Sequence, residues 1–250
     1  MLKHVIINPF TFVGFELCMK LLEEGNEITG VHPVHLTKSS YAEEMEMLLG
    51  RNANFSLVDC MEIDQTDSDE YVLVICHRGV ETGNLSEMIR TVKIRAQDKI
   101  IIVLDLYKEA ITELHGHQNQ VTIIMPTVYG PRQPTNMVFQ NSLLNREFAF
   151  AEYERENKDD AIYIGDAVTS IIELINHPPG KYKVQSSIEN HWVKALSEIG
   201  YQVLFEEELR IEEISEEIQI HIAETTVTPK QGIEEQKQYN KLMEWFIYDD

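Results

Sequence analysis

The stretch that most constrains this chain is Lys3 to Glu24, KHVIINPFTFVGFELCMKLLEE. Its apolar opening predicts a strand, followed by one short loop and an amphipathic helix. Strand, tight loop and helix in that order open the α/β sheets that bind nucleotides. Their phosphate-facing loop carries glycines, spaced G-x-x-G-x-x-G in one large group, because backbone amides and a helix N-terminus approach a pyrophosphate only where no side chain intervenes. Here those positions hold Asn8, Thr11 and Gly14. Only the last glycine is kept, so the scaffold is more legible than its use.

The rest of the first half repeats the unit. Gly25-Asn26 stops the first helix and turns the chain into a strand at 27–32. Ser39 and Ser40 cap a helix that ends at Gly50, and a third strand follows at 54–58. Glu70 to Cys76 and Lys99 to Leu106 are almost continuously apolar, as parallel strands covered on both faces are, and a further strand is expected at 121–125. Helices are expected at 85–96 and 108–114. Alternation of this kind predicts a Rossmann-type doubly wound parallel sheet in an α/β protein, with a small C-terminal α+β substrate lobe. From Tyr129, the glycine and prolines of YGPRQPTN make regular structure unexpected. Beyond it a strand and helix capped at Asp166 are expected within 161–175, then a break at His177-Pro178-Pro179-Gly180. Strands at 182–184 and 201–205 and helices at 191–199 and 232–246 complete the reading. The expected division is 1–130 plus 161–176 for the dinucleotide-binding domain, and 131–160 plus 177–250 for the lobe.

Composition excludes several classes. A formal net charge of -21 without a basic stripe opposes nucleic-acid and anionic-membrane binding. No apolar run approaches the roughly 20 residues that span a bilayer. The N-terminus lacks the regions of a secretory leader, so the cytoplasm is the expected compartment. Cys18, Cys60 and Cys76 lie far apart and are read as reduced thiols. His115 and His117 have no cysteine or carboxylate cluster beside them, and no metal site is expected. Asp159 and Asp160 sit in a polar run and are read as exposed loop acids.

Three later stretches carry a family likeness. Thr127-Val128-Tyr129-Gly130-Pro131-Arg132-Gln133 resembles the N-V-Y-G-P-R-Q segment of the extended short-chain dehydrogenase/reductases, the group that includes NAD-dependent sugar-nucleotide epimerases and dehydratases. Tyr163 to Val168 is similar to that group's Y-V-x-D-V-A, and Pro229 to Glu235 with Glu244-Trp245 resembles its closing P-x-T-S-L-E-E-G and E-W. The resemblance implies NAD or NADP in a groove over the strand ends, touched by Asn8, Thr11, Phe12, Gly14, His32 and Asp59. His32 stands where the group often has an acid for the ribose, or an arginine nearby for NADP. Asp59 matches the aspartate beside adenine.

The group's chemistry rests on a tyrosine and a lysine four residues later, with a serine or threonine beside them. No tyrosine here has that lysine. Tyr107 is followed directly by Lys108, about 100° away on a helix, and the serine pair would align near Leu104 and Asp105. No catalytic residue is therefore assigned. Two readings stay open: a non-catalytic nucleotide- or metabolite-binding or regulatory protein, or an active NAD(P)-dependent epimerase, dehydratase or reductase using displaced residues such as Tyr107 or Tyr129. A homodimer or a protein partner is also open, the helices at 85–96 and 108–114 being the candidates for pairing.

Overall fold

The computed structural model of the protein describes residues 3–32, 40–58, 71–76, 98–105, 118–144, 160–201 and 218–247. The chain divides into two compact units, Met1–Ile124 with Val168–Gly180, and Met125–Ala167 with Lys181–Asp250.

The first unit is built on six strands: β1 (Lys3–Ile7), β2 (Glu27–Val31), β3 (Phe55–Val58), β4 (Tyr71–Cys76), β5 (Lys99–Asp105) and β6 (Gln120–Met125). They lie in the order β3-β2-β1-β4-β5-β6. The pairs β1·β2, β1·β4, β2·β3 and β4·β5 are all parallel. This is the strand order of the dinucleotide-binding fold, with the switch in winding order falling between the parallel neighbours β1 and β4. The buried centre explains the apolar runs: Ile6, Ile7, Val74, Ile100 and Ile101 have no exposed surface. Helix α1 (Phe12–Glu23) presents Phe15, Leu17, Cys18 and Leu21 to the interior. It ends as Gly25-Asn26 leads one to expect. Gly25, at φ 82°, donates to Leu22 O at 3.0 Å and Asn26 to Leu21 O at 3.0 Å, the paired bonds of a Schellman stop. Helix α2 (Ser40–Leu49) precedes β3. Cys18 is a buried free thiol.

The second unit holds a parallel two-stranded pair, β7 (Thr127–Tyr129) and β8 (Ala161–Tyr163), and a second parallel pair, β9 (Gly180–Ser186) and β10 (Ile218–Ala223). Its helices are α3 (Val138–Leu143), α5 (His191–Ile199) and α6 (Pro229–Ile247), and the unit boundary runs through α4 (Ile164–Ile175). Tyr129, Phe139, Trp192, Leu196 and Ile233 form its apolar centre.

The stretch YGPRQPTN is irregular, as its glycine and prolines lead one to expect: turns and bends fill 130–136 between β7 and α3, and α3 follows once Met137 donates to Pro134 O. Two helix starts are corrected. The helix expected to start from a cap at Asp166 starts at Ile164, and Asp166 lies in its first turn. The last helix starts at Pro229, three residues early. Thr228 and Gln231 form a reciprocal capping box, N–H to Oε1 at 3.1 Å and N–H to Oγ1 at 3.3 Å, and proline suits the first helical position. The expected helices at 85–96 and 108–114, and all but Tyr201 of the strand expected at 201–205, lie outside the described residues. Among the described residues, no helix is long and apolar enough to cross a membrane.

Helix α6 crosses the tyrosines of the second unit at Gly232. A Cβ there would lie 2.7 Å from Tyr163 Cδ2 and 2.9 Å from Tyr129 Cε2. Alanine in a helix interior normally adds about 1 kcal/mol over glycine, but overpacking of this kind costs about 1–3 kcal/mol. Gly232→Ala is therefore expected to lower the urea midpoint of unfolding, against its helix propensity. A raised midpoint would show that α6 does not need this approach.

Candidate functional site

The carboxyl end of β1 runs into α1 through Asn8-Pro9-Phe10-Thr11. Asn8 takes the left-handed conformation at φ 60°, the place of the first glycine in the three-glycine loop, and asparagine tolerates that region better than most residues. Its N–H donates to Val31 O at 3.1 Å, tying the loop to the end of β2. Its carbonyl accepts from Thr11 N at 3.3 Å and from Thr11 Oγ1 at 3.1 Å.

Thr11 is the N-cap of α1. Its hydroxyl accepts the Gly14 N–H at 3.1 Å, and Phe15 N donates to Thr11 O at 2.8 Å. The side chain thus turns back onto the loop and helix, which reduces the obstruction a β-branched residue presents at this position. Thr11 N and Gly14 N are taken up, so Phe12 and Val13 hold the first-turn N–H groups that helix geometry leaves for another acceptor. Both side chains are buried, at 4% exposure, so backbone is what they offer. Gly14 is required by space: a Cβ would lie 2.5 Å from Asn8 O and 2.7 Å from Thr11 Oγ1. It is a packing glycine, the function of the third glycine in the fingerprint.

Around this loop, Gly30 of β2 faces Phe55 and Pro9, where a Cβ would meet Phe55 Cζ at 2.8 Å and Pro9 Cγ at 3.0 Å. His32, just past β2, donates its N–H to Val58 O at 3.2 Å, and its ring meets Phe10 edge-on at 5.1 Å. The structure therefore gathers Asn8, Thr11, Phe12, Gly14 and His32 at the same strand ends of the first unit. Asp59, Tyr107, Lys108, His115, His117 and Asp159 lie outside the described residues. Leu104, in the expected serine region, is a buried β5 residue at 8% exposure.

The second unit pairs polar groups in ways the sequence did not show. Tyr129 has no exposed surface and its hydroxyl lies 2.9 Å from His191 Nε2. His191 Nδ1 is 2.7 Å from Ser186 Oγ, which also accepts Ile188 N–H at 3.0 Å and lies 3.2 Å from Thr225 Oγ1. One assignment satisfies the series: Tyr129 donates to a neutral imidazole, whose Nδ1–H donates to Ser186. Asp160, read from sequence as an exposed acid, is half-buried, and its carboxylate accepts Ala161 N–H at 2.8 Å and Ser186 N–H at 2.7 Å. Asp166 accepts from Thr226 N at 3.1 Å and Val227 N at 3.3 Å. Tyr163 donates to Glu235. Buried Gln133, Gln140 and Gln236 interlock: Gln236 Nε2 donates to Gln133 Oε1 at 2.9 Å and to Gln140 Oε1 at 2.8 Å. No local pattern could have revealed these partners, which stand up to 103 residues apart.

No protein-family model matches the sequence, and neither does any curated protein. Solved structures do match over almost the whole chain. The UDP-glucose 4-epimerase of Thermotoga maritima, solved with UDP-glucose, shares 13% identity over 97% of this chain and 99% of its own, at a TM-score of 0.59. The Bordetella bronchiseptica enzyme WbmH, solved with NAD+, shares 13% over 96% and 99%, at 0.56. Vestitone reductase from alfalfa, Medicago sativa, shares 14% over 97% and 99%, at 0.57. The chain therefore has the Rossmann-type fold found in NAD-dependent epimerases, dehydratases and reductases of the extended short-chain group.

Burial governs the electrostatics of the Tyr129–His191 pair. It holds the His191 imidazole down at about 4, helped by the Lys194 charge, and pushes the Tyr129 phenol well above its ordinary range, helped by the Asp166 and Glu235 carboxylates. A histidine with a depressed native pKa is neutral in the fold while the unfolded chain takes up a proton below about 6.5. Its contribution is complete above that pH and is lost as pH falls toward 4. Unfolding melts at pH 7.5 and pH 4.5 should differ by about 2–3 kcal/mol more for the parent than for His191→Gln, which has no ionisable ring. Equal differences would refute a neutral buried imidazole.

Proposed function

We propose that the chain is a divergent member of the extended short-chain dehydrogenase/reductases that binds a nucleotide or nucleotide-like metabolite at the Asn8–Gly14 loop without the group's usual catalysis. The observation that carries this reading is the loop itself. It keeps a left-handed residue at the first glycine position and a glycine that no side chain could replace at the third, so the close approach of α1 to β1 is preserved. The backbone N–H groups of Phe12 and Val13 fit a diphosphate at a helix N-terminus. NAD or NADP would lie there, with His32, and Asp59 beyond the described residues, toward the adenosine ribose and adenine. A nicotinamide cofactor held in that way would supply hydride transfer in a catalytic member of the group, a chemistry the proposed binding role does not use. The first unit serves as the nucleotide domain and the second as the substrate-type lobe.

The absence of any Tyr-x-x-x-Lys in the sequence supports a binding or regulatory role. Tyr129, the described candidate for a displaced proton donor, argues the same way. It has no exposed surface, its hydroxyl is engaged by His191, and burial holds its proton more tightly than usual. A general acid needs reach to the substrate and a pKa near the working pH.

Melting temperature should rise when the purified protein is mixed with at least one of NAD+, NADH, NADP+ and NADPH. At a hundredfold excess over Kd, mass action adds about 2.7 kcal/mol, which is several degrees for a chain of this size. The bound cofactor should show no turnover with UDP-sugars, followed by absorbance and product analysis. Lack of any shift with all four at millimolar concentration would sink the nucleotide reading, and turnover would sink the non-catalytic one.

A further inference from the structure

One group in the loop has no structural account. Asn8 is 97% buried by its 3% exposure, yet its side-chain Nδ2 meets no hydrogen-bond acceptor. An orphaned buried donor costs about 1–3 kcal/mol, so such groups are rare and ask for a reason. Backbone conformation does not supply one. Glycine adopts φ 60° without strain and without an orphaned amide, and it is the usual residue at this position of the loop. Nor is the side chain needed to hold the turn, because the bonds that fix it run through Asn8 N and Asn8 O.

The neighbouring substitution supplies the complement. Thr11, at the second glycine position, places its hydroxyl on the Gly14 N–H and so withdraws one first-turn donor from any anion at the head of α1. Asn8 adds one donor at the same turn, three residues before Thr11 and bonded to it through its carbonyl. We propose that the Asn8 carboxamide donates to the diphosphate of the bound nucleotide, in place of the Gly14 amide that Thr11 occupies. The inference rests on nucleotide binding at this loop. Asn8 and Thr11 are then a compensating pair, and Asn8 is a binding residue absent from the three-glycine pattern.

Calorimetric titrations with NAD+, ADP and adenosine test it, on the parent, Asn8→Gly, Asn8→Asp and the double variant Asn8→Gly/Thr11→Gly. Asn8→Gly should bind NAD+ and ADP at least tenfold more weakly, while adenosine binding stays as in the parent. Its unliganded melting temperature should be unchanged or higher, because an orphaned donor is removed; a structural asparagine would give a lower one. Asn8→Asp, with a carboxylate facing the diphosphate, should lose more affinity than Asn8→Gly. The double variant, with the Gly14 amide released, should recover most of the loss. Parent-like ADP affinity in Asn8→Gly, or equal losses for adenosine and ADP, would overturn the proposal while leaving nucleotide binding intact. Failure of the parent to bind NAD+ or ADP would remove both together.

Discussion

Helix α1 begins so close to the end of β1 that a single methyl group does not fit between them. The limit is set at Gly14, where an added Cβ would lie 2.5 Å from the Asn8 carbonyl oxygen. Given that approach, the rest of the first unit's turn follows. Asn8 must take a left-handed backbone to reverse the chain, Thr11 caps the helix from inside the turn, and Phe12, Val13 and Phe15 reach the interior within the first helical turn. A wider loop would move the helix outward and leave those side chains partly in water, at about 25 cal/mol for each Å² of apolar surface.

The second unit is held differently. Three of its elements are short, β7 and β8 of three residues and α3 of six, and bring little backbone pairing of their own. Buried side-chain hydrogen bonds take that role. Gln236 in α6 joins Gln133 and Gln140, Asp166 gathers Thr226 and Val227, and Asp160 joins the start of β8 to the end of β9. Amide networks of this kind gain strength from their dry surroundings and tolerate little displacement, so they fix where a helix lies along its axis more sharply than apolar packing does.

The parts legible in the sequence are those whose physics is local. The strand at 99–105 shows as a continuous apolar run because residues 100–104 are buried on both faces, and the stop of α1 shows because glycine suits its left-handed exit at Gly25. Thr11 shows the limit. Judged by its place in a glycine pattern it is an obstacle, yet as the residue just before an apolar helix it is a cap, and the side-chain torsion that decides between them is not written locally. Asp160 shows the same limit: its charged neighbours suggest water, whereas its partner, Ser186 N–H, stands 26 residues away. The Tyr129–His191 bond spans 62 residues and depends on two elements meeting, which no spacing rule foretells.

The loop between β1 and α1 also bears on how much a shape must record of itself in the chain. Three glycines are a conspicuous signature, but only one of the three positions here is closed to every other side chain. The conformation required at the first is open to asparagine, and the second can be filled by a residue that folds its hydroxyl inward. The minimum inscription of this turn is thus a single glycine and two permissive sites, far too little information to stand out against chance. A chain can form such a turn with a sequence that no pattern built on glycine spacing would find.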